Sequence, residues 1–179
     1  MREDLEVLIE AIATMRRRGR TVTCLIVGDC RQRDRMRKRA RELGVAEHVV
    51  FTGDIPFNDT PSYYAQMDLL VASGIDEPAA RLVSPMAPLE AMAMNVPVLV
   101  ADLPALTEIA RSEQCARTFR AGNAASLAAA ATRLIDAPEE RRRLAARAGS
   151  WVRRERSWYS VATASNDAYD EVLTVRPRK

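Results

Sequence analysis

The chain has 179 residues, 47% of them apolar and 28% charged, with a net charge of +3 and a pI near 9.0. This length and apolar content suffice for one globular domain with its own core, and they exclude wholesale disorder. No apolar run reaches the length of a membrane span, and the acidic, interrupted start Met-Arg-Glu-Asp-Leu-Glu does not read as a secretory signal, so a cytoplasmic protein is expected, peripheral at the inner membrane face at most.

Leu5, Leu8, Ile9, Ile12 and Met15 keep helical spacing over residues 4–18, and arginines close that helix near Gly19. Val22 to Val27 is a continuous β-rich run, the mark of a strand covered on both faces. It ends in Gly28-Asp29, where glycine lets the backbone turn tightly or approach a ligand. A helix follows from about Arg31 to Leu43 with a thin stripe of Met36, Ala40 and Leu43, and Gly44 ends it. His48 to Phe51 predicts a short strand. His48, the single histidine, has no nucleophile or acid constellation around it and reads as a polar strand-end residue.

Thr60 to Ala65 predicts a short helix carrying Tyr63 and Tyr64, Asp68 to Ala72 a strand, and Ser73 to Val83 a loop with Asp76, Glu77, Pro78 and Arg81. The stretch from Ser84 to Asp102 then organises the chain. Pro85 and Pro88 sit at a helix entry, where a missing N–H costs little. Leu89, Met92 and Ala93 give that helix one apolar face, Asn95 suits its end and Pro97 prevents its continuation. Val98 to Val100 reads as a buried parallel strand. Glu90 stands in the first turns of this helix, beside unpaired N–H groups that favour an anion, an arrangement that suits a sugar nucleotide.

Asp102 is positioned to cap a helix from Pro104 to Arg111, and Cys115 to Phe119 predicts a weak strand. Asn123 caps a helix to Ile135 with Leu127, Leu134 and Ile135 facing the core. Asp136, Pro138, Glu139 and Glu140 restart a helix carrying Leu144, Ala148, Trp151 and Val152. Ser157 caps a last helix through Val161, Tyr169, Val172 and Leu173, and residues 176–179 form a tail. The three cysteines, Cys24, Cys30 and Cys115, lack metal-ligand spacing, so no metal or cofactor is expected; Cys24 and Cys115 read as buried thiols.

Alternation of strand and helix from end to end predicts a doubly wound, mostly parallel α/β domain over residues 1–175, with its ligand at the carboxyl ends of the strands near residues 28, 53 and 84–90. Arginines cluster at 16–20, 31–41 and 141–156. They read as solvated helix faces, the alternative being an anion- or nucleic-acid-binding patch. No aromatic residues interleave with them, which disfavours a single-strand stacking platform, and no specific nucleic acid is expected.

Five segments now fall into one order: Ile26-Val27-Gly28-Asp29, Val50 to Pro56, Tyr63-Tyr64-Ala65-Gln66-Met67-Asp68, Pro88-Leu89-Glu90-Ala91-Met92-Ala93 and Pro97 to Pro104. Together they resemble the carboxy-terminal, donor-binding half of the retaining GT-B glycosyltransferases of the group 1, or family 4, type. The resemblance implies a Rossmann-like domain that binds a nucleoside diphosphate sugar and transfers the sugar with retention to an unknown acceptor, without a metal. It assigns Glu90 to the donor's ribose hydroxyls, which an ionised carboxylate can accept as a vicinal pair. Pro88 and Leu89 flank it, backbone near Ser84 and Met86 would face the diphosphate, backbone near Ile55 would line the base pocket, and Gly28 with Asp29 would lie close to the donor.

Two positions depart from the family pattern. Leu82 stands eight residues before Glu90, where the family's first motif glutamate would be, and Ala87 stands where related branches place a lysine. The sequence also lacks the family's opening strand with its glycine-rich turn and basic pair, and its amino-terminal acceptor domain. The chain alone is therefore expected to be inactive, with no catalytic residue assigned. Without the opening strand, the strands at 22–27 and 68–72 must pair directly, leave a gap, or be completed by a partner such as a second copy. A non-catalytic α/β module that has lost donor binding, and an arginine-rich anion-binding regulator, are the alternative readings.

Overall fold

The structure, a computed structural model, describes residues 4–29, 32–78, 81–82, 85–111 and 114–175. Helices and strands alternate: α1 (Asp4–Arg17), β1 (Cys24–Val27), α2 (Arg33–Glu42), β2 (Val49–Gly53), α3 (Thr60–Tyr64), β3 (Leu70–Ala72), α4 (Ala87–Ala93), β4 (Val98–Ala101), α5 (Pro104–Arg111), β5 (Arg117–Phe119), α6 (Ala124–Ile135), α7 (Pro138–Glu155) and α8 (Trp158–Val175). This is the predicted doubly wound α/β class, and every pairing between strands is parallel.

The sheet is in two pieces, ordered β2–β1 and β3–β4–β5. Direct pairing of β1 with β3, one of the three expected outcomes, is not made among the described residues. β1 and β3 each pair with one strand among the described residues, so each keeps one edge without a ladder partner. All three residues of β3 are only half-buried, whereas Val98, Leu99, Val100 and Ala101 of β4 are fully buried with a neighbour strand on each side.

The core divides along the same seam. One cluster surrounds β4 and takes Val7, Ala11 and Met15 from α1; a smaller one surrounds β1 and takes Ile9, Ile12 and Ala13 from the same helix. α1 thus bridges the two pieces with adjacent stripes of one helix, because its apolar arc is wider than a single seam requires. On its far sides α1 packs against α6 and α2. Arg20 adds a bidentate pair to Asp136 at the end of α6, at 2.6 and 2.5 Å.

The turn from α4 into β4 follows the expected design. Asn95 adopts φ 57° after the last helical residues. Its N–H bonds to the Met92 carbonyl at 3.0 Å, while the Val96 N–H reaches back to the Ala91 carbonyl at 2.8 Å. This pair of bonds is the Schellman arrangement, with Val96 buried beneath it. Gly149 of α7 lies against this turn: a Cβ there would meet Asn95 Oδ1 at 2.2 Å and the Met92 carbonyl oxygen at 3.0 Å. Asn123 caps α6 by accepting the Ser126 N–H at 2.8 Å, and Ser157 Oγ accepts the Ser160 N–H at the start of α8, both as predicted.

Several local expectations need correction. Asp102 does not cap α5. Its Oδ1 accepts the Ala121 N–H at 2.6 Å, tying the end of β4 to the loop after β5, while the Leu103 carbonyl takes the first bonds of α5. His48 belongs to a 3-10 turn, Ala46–His48, rather than to the strand that follows. β5 begins at Arg117, so buried Cys115 precedes it. Between Ile26 and Val27 the β1–β2 register skips Thr52, whose hydroxyl accepts the Gly28 N–H at 3.2 Å. In α8, Trp158, Tyr159, Tyr169, Val172 and Leu173 are exposed, and among the described residues α7 is its substantial packing partner. Residues 176–179 and Cys30 lie outside the described residues.

Candidate functional site

The anticipated site residues lie in the segments that follow β1, β2 and β3, and the structure sorts them into two groups. The first is built on α3 and α4. Pro88 sits in the first turn of α4 and is fully buried, so it anchors the helix start, while Leu89 and Glu90 are half-buried. Glu90 donates its backbone N–H to the Met86 carbonyl at 3.0 Å, which closes the first turn. Its side chain turns toward α3, where the Tyr64 hydroxyl donates to Oε2 at 2.7 Å. The same hydroxyl lies 3.5 Å from the Ala87 carbonyl. Burial, and then the Glu90 carboxylate it faces, hold the Tyr64 phenol far above its ordinary range, so it remains a donor.

The second group is built where β1 and β2 end. Gly28 has φ 99°, a conformation that favours glycine, and its N–H is shared between the Gly53 carbonyl and the Thr52 hydroxyl. That N–H is therefore engaged within the fold. Asp29 pairs with Arg33 of α2 at 2.7 Å. Ile55 is half-buried just beyond β2. Among the described residues no hydrogen bond joins this group to the Glu90 side chain, whose partner is Tyr64. Ser84 lies outside the described residues, and Met86 is half-exposed at the entry of α4 without a side-chain cap bond.

The positions that depart from the family pattern are both on the surface. Leu82 is 86% exposed and Ala87 is exposed at the start of α4. Within the loop that leads to α4, Arg81 makes a bidentate pair with Asp76 at 2.6 and 2.8 Å, and the guanidinium holds the Asp76 carboxyl below its usual range. A cavity of about 240 Å³ lined by Arg37, Arg41, Val49 and Phe51 lies at the β2 edge, and one of about 190 Å³ lined by Arg117, Ser126, Arg133 and Glu140 lies beside β5. Neither includes an anticipated donor residue, and the site is placed on its carboxylate chemistry. Among the described residues no cluster of His, Cys, Asp and Glu could hold a metal ion, and no helix is long and apolar enough to cross a membrane.

Sequence reasoning missed Tyr64. It lies 26 residues before Glu90, in a short helix whose tyrosines carry no spacing signal toward α4, so only the folded chain reveals the pair.

Parallel strands alternating with helices define a Rossmann-like α/β domain, and the half-buried Glu90 carboxylate stands in the first turns of α4, the helix that follows β3. The family model for glycosyl transferases group 1 matches residues 2–151, and the chain belongs to that family. It is 35% identical over 104 residues to the GDP-mannose-dependent alpha-(1-6)-phosphatidylinositol monomannoside mannosyltransferase of Mycolicibacterium smegmatis, covering 55% of this chain and 26% of that protein. The enzyme of the same description from Mycobacterium tuberculosis is 25% identical over 172 residues, 93% of this chain and 44% of the relative. The chain thus spans less than half the length of these relatives.

Among solved structures, sucrose-phosphate synthase from Thermosynechococcus elongatus superposes with a TM-score of 0.82 at 22% identity, over 98% of this chain and 43% of that one. The C-terminal domain of a glycosyl transferase group 1 family protein from Francisella tularensis superposes with a TM-score of 0.67 at 21% identity, over 86% of this chain and 79% of that one. An Anabaena protein solved with UDP and glucose gives 0.75 at 22% identity, over 94% of this chain and 44% of that one.

Proposed function

We propose that this chain is the donor-binding part of a retaining, metal-independent glycosyltransferase, and that it binds a nucleoside diphosphate sugar through Glu90. The observation that carries this reading is the Glu90 carboxylate itself. It is half-buried in the first turns of α4, inside the Pro-Leu-Glu-Ala-Met-Ala motif, with one oxygen held by Tyr64. An ionised carboxylate with acceptor capacity to spare suits the vicinal hydroxyls of a ribose. Met86 and the backbone before it would face the diphosphate, Ile55 the base, and Gly28 with Asp29 the neighbouring donor surface. The relatives named for GDP-mannose make a guanosine diphosphate the first donor nucleotide to test.

The chain spans less than half the length of the relatives it matches, so donor binding is the activity to test in it. The second reading, a module that keeps the fold and has lost donor binding, is favoured by Ala87, which brings no charge to a diphosphate, and by Arg81, which Asp76 already engages. Calorimetric titration of the 179-residue chain with GDP and UDP separates the two. Binding at or below millimolar concentration supports the donor domain, and no heat with either nucleotide at several millimolar leaves the second reading. An arginine-rich regulator is disfavoured by the ion pairs of Arg20, Arg33, Arg35, Arg39, Arg117 and Arg156 with acidic neighbours, which already occupy those guanidinium groups.

A further inference from the structure

We propose that Tyr64 is a positioning residue for Glu90: its hydroxyl fixes one carboxylate oxygen and so presents the other to the ribose hydroxyls of the donor. The inference rests on the reading that Glu90 is the ribose acceptor. It adds a residue that lies outside the Glu90 motif, on another helix.

The geometry is specific. Tyr64 is 7% exposed, with its ring inside the core cluster that also holds Ala91 and Met92 of α4. The ring is therefore fixed by packing, and the hydroxyl is the only part of it that chemistry can use. At 2.7 Å from Oε2 it makes a charge-assisted bond, the strong kind for a neutral donor and an ionised acceptor. The phenol has a single proton and burial keeps it there, so the bond always runs from tyrosine to glutamate.

A carboxylate offers roughly four acceptor directions, and one phenol consumes one of them. The remaining directions suit two O–H donors on adjacent carbons, provided the carboxylate does not rotate. A glutamate free in solvent would surrender its rotamer freedom on binding, at a cost that a tethered one has already met in folding. Tyr64 thus acts by preorganisation and touches no substrate.

The test uses the 179-residue chain in six titrations: wild type, Tyr64→Phe and Glu90→Ala, each with GDP and with 2′,3′-dideoxy-GDP, which lacks the vicinal hydroxyls. Wild-type protein is expected to prefer GDP. Tyr64→Phe removes only the hydroxyl and is expected to weaken GDP ~5–10-fold, the size of about one net hydrogen bond, while leaving the dideoxy nucleotide unchanged. Glu90→Ala is expected to abolish the preference. The melting temperature of each variant is read alongside, and the ratio of the two affinities is internal to each variant, so a general loss of stability does not imitate the result.

Equal weakening of both nucleotides by Tyr64→Phe means that the bond merely braces α3 against α4 and overturns the proposal. So does a Tyr64→Phe protein that binds GDP as wild type does while Glu90→Ala loses the preference; in that case the Glu90 reading stands alone. If wild-type protein and Glu90→Ala show no preference for GDP over the dideoxy nucleotide, the Glu90 reading itself fails and takes this inference with it.

Discussion

Gly149→Ala sets two opposing effects against each other at a position where the structure decides the sign. Gly149 lies in the interior of α7, where replacing glycine by alanine ordinarily stabilises a helix by about 1 kcal/mol. Here the added Cβ would stand 2.2 Å from Asn95 Oδ1 and 3.0 Å from the Met92 carbonyl oxygen, with the Arg153 guanidinium at 3.2 Å. The asparagine side chain can rotate away. The carbonyl belongs to the Schellman turn that ends α4, where it accepts the Asn95 N–H, and its movement would disturb that bond. A backbone carbonyl yields less readily than a side chain, which puts the overpacking in the upper part of the usual range, roughly 2–3 kcal/mol, and this exceeds the propensity gain.

The net expectation is a loss of about 1–2 kcal/mol, or roughly 2–8 °C in melting temperature for a domain of this size. Thermal unfolding followed by circular dichroism reads it. Asn95→Gly removes the nearer obstacle at a position whose φ of 57° suits glycine, so the double variant Gly149→Ala, Asn95→Gly is expected to recover part of the loss. A Gly149→Ala protein that melts at or above the wild-type temperature refutes the close approach of α7 to the α4 turn.

Further expectations concern the rest of the fold. Burial pushes the Cys24 thiol up from its usual 9.0 to about 12. The folded state thus favours the protonated thiol: the stability is fully present below pH 9 and is lost as pH rises toward 12, on the order of 4 kcal/mol at full deprotonation. Unfolding titrations between pH 8 and 11 should show this decline flattened in Cys24→Ala, and an unchanged slope would count against it. Asn123→Ala removes the cap on α6 and is expected to cost about 1 kcal/mol in denaturant unfolding. In hydrogen exchange, amides of β4, paired on both sides, should outlast those of β1, which has one partner strand; equal protection would mean that the gap beside β1 is closed in solution.

The alternation of strands and helices was legible in the sequence because each element carries its own period and its own stop signal. β4 reads as a buried run at Val98–Val100 and is buried on both faces, and Asn95, Asn123 and Ser157 end or begin helices as their side-chain chemistry requires. Asp102 misled for the same local reason. It has the right side chain beside a helix start, but the loop after β5, which is 19 residues away in sequence, claims its carboxylate. Of the site, the sequence singled out Glu90 through its motif. It could not rank the glycine turns, since the Gly28 N–H is satisfied by Thr52 and Gly53 across a strand pair.

By itself, then, the sequence determined the α/β class, the family and the carboxylate at position 90, because periodicity, capping and a contiguous motif are local properties of the chain. Tertiary structure alone decided that the sheet stands in two pieces bridged by α1, that Gly149 lets α7 close on the α4 turn, and that Tyr64 holds Glu90. Each of these depends on the distance between residues far apart in sequence, and that distance is fixed only when the helices and strands pack.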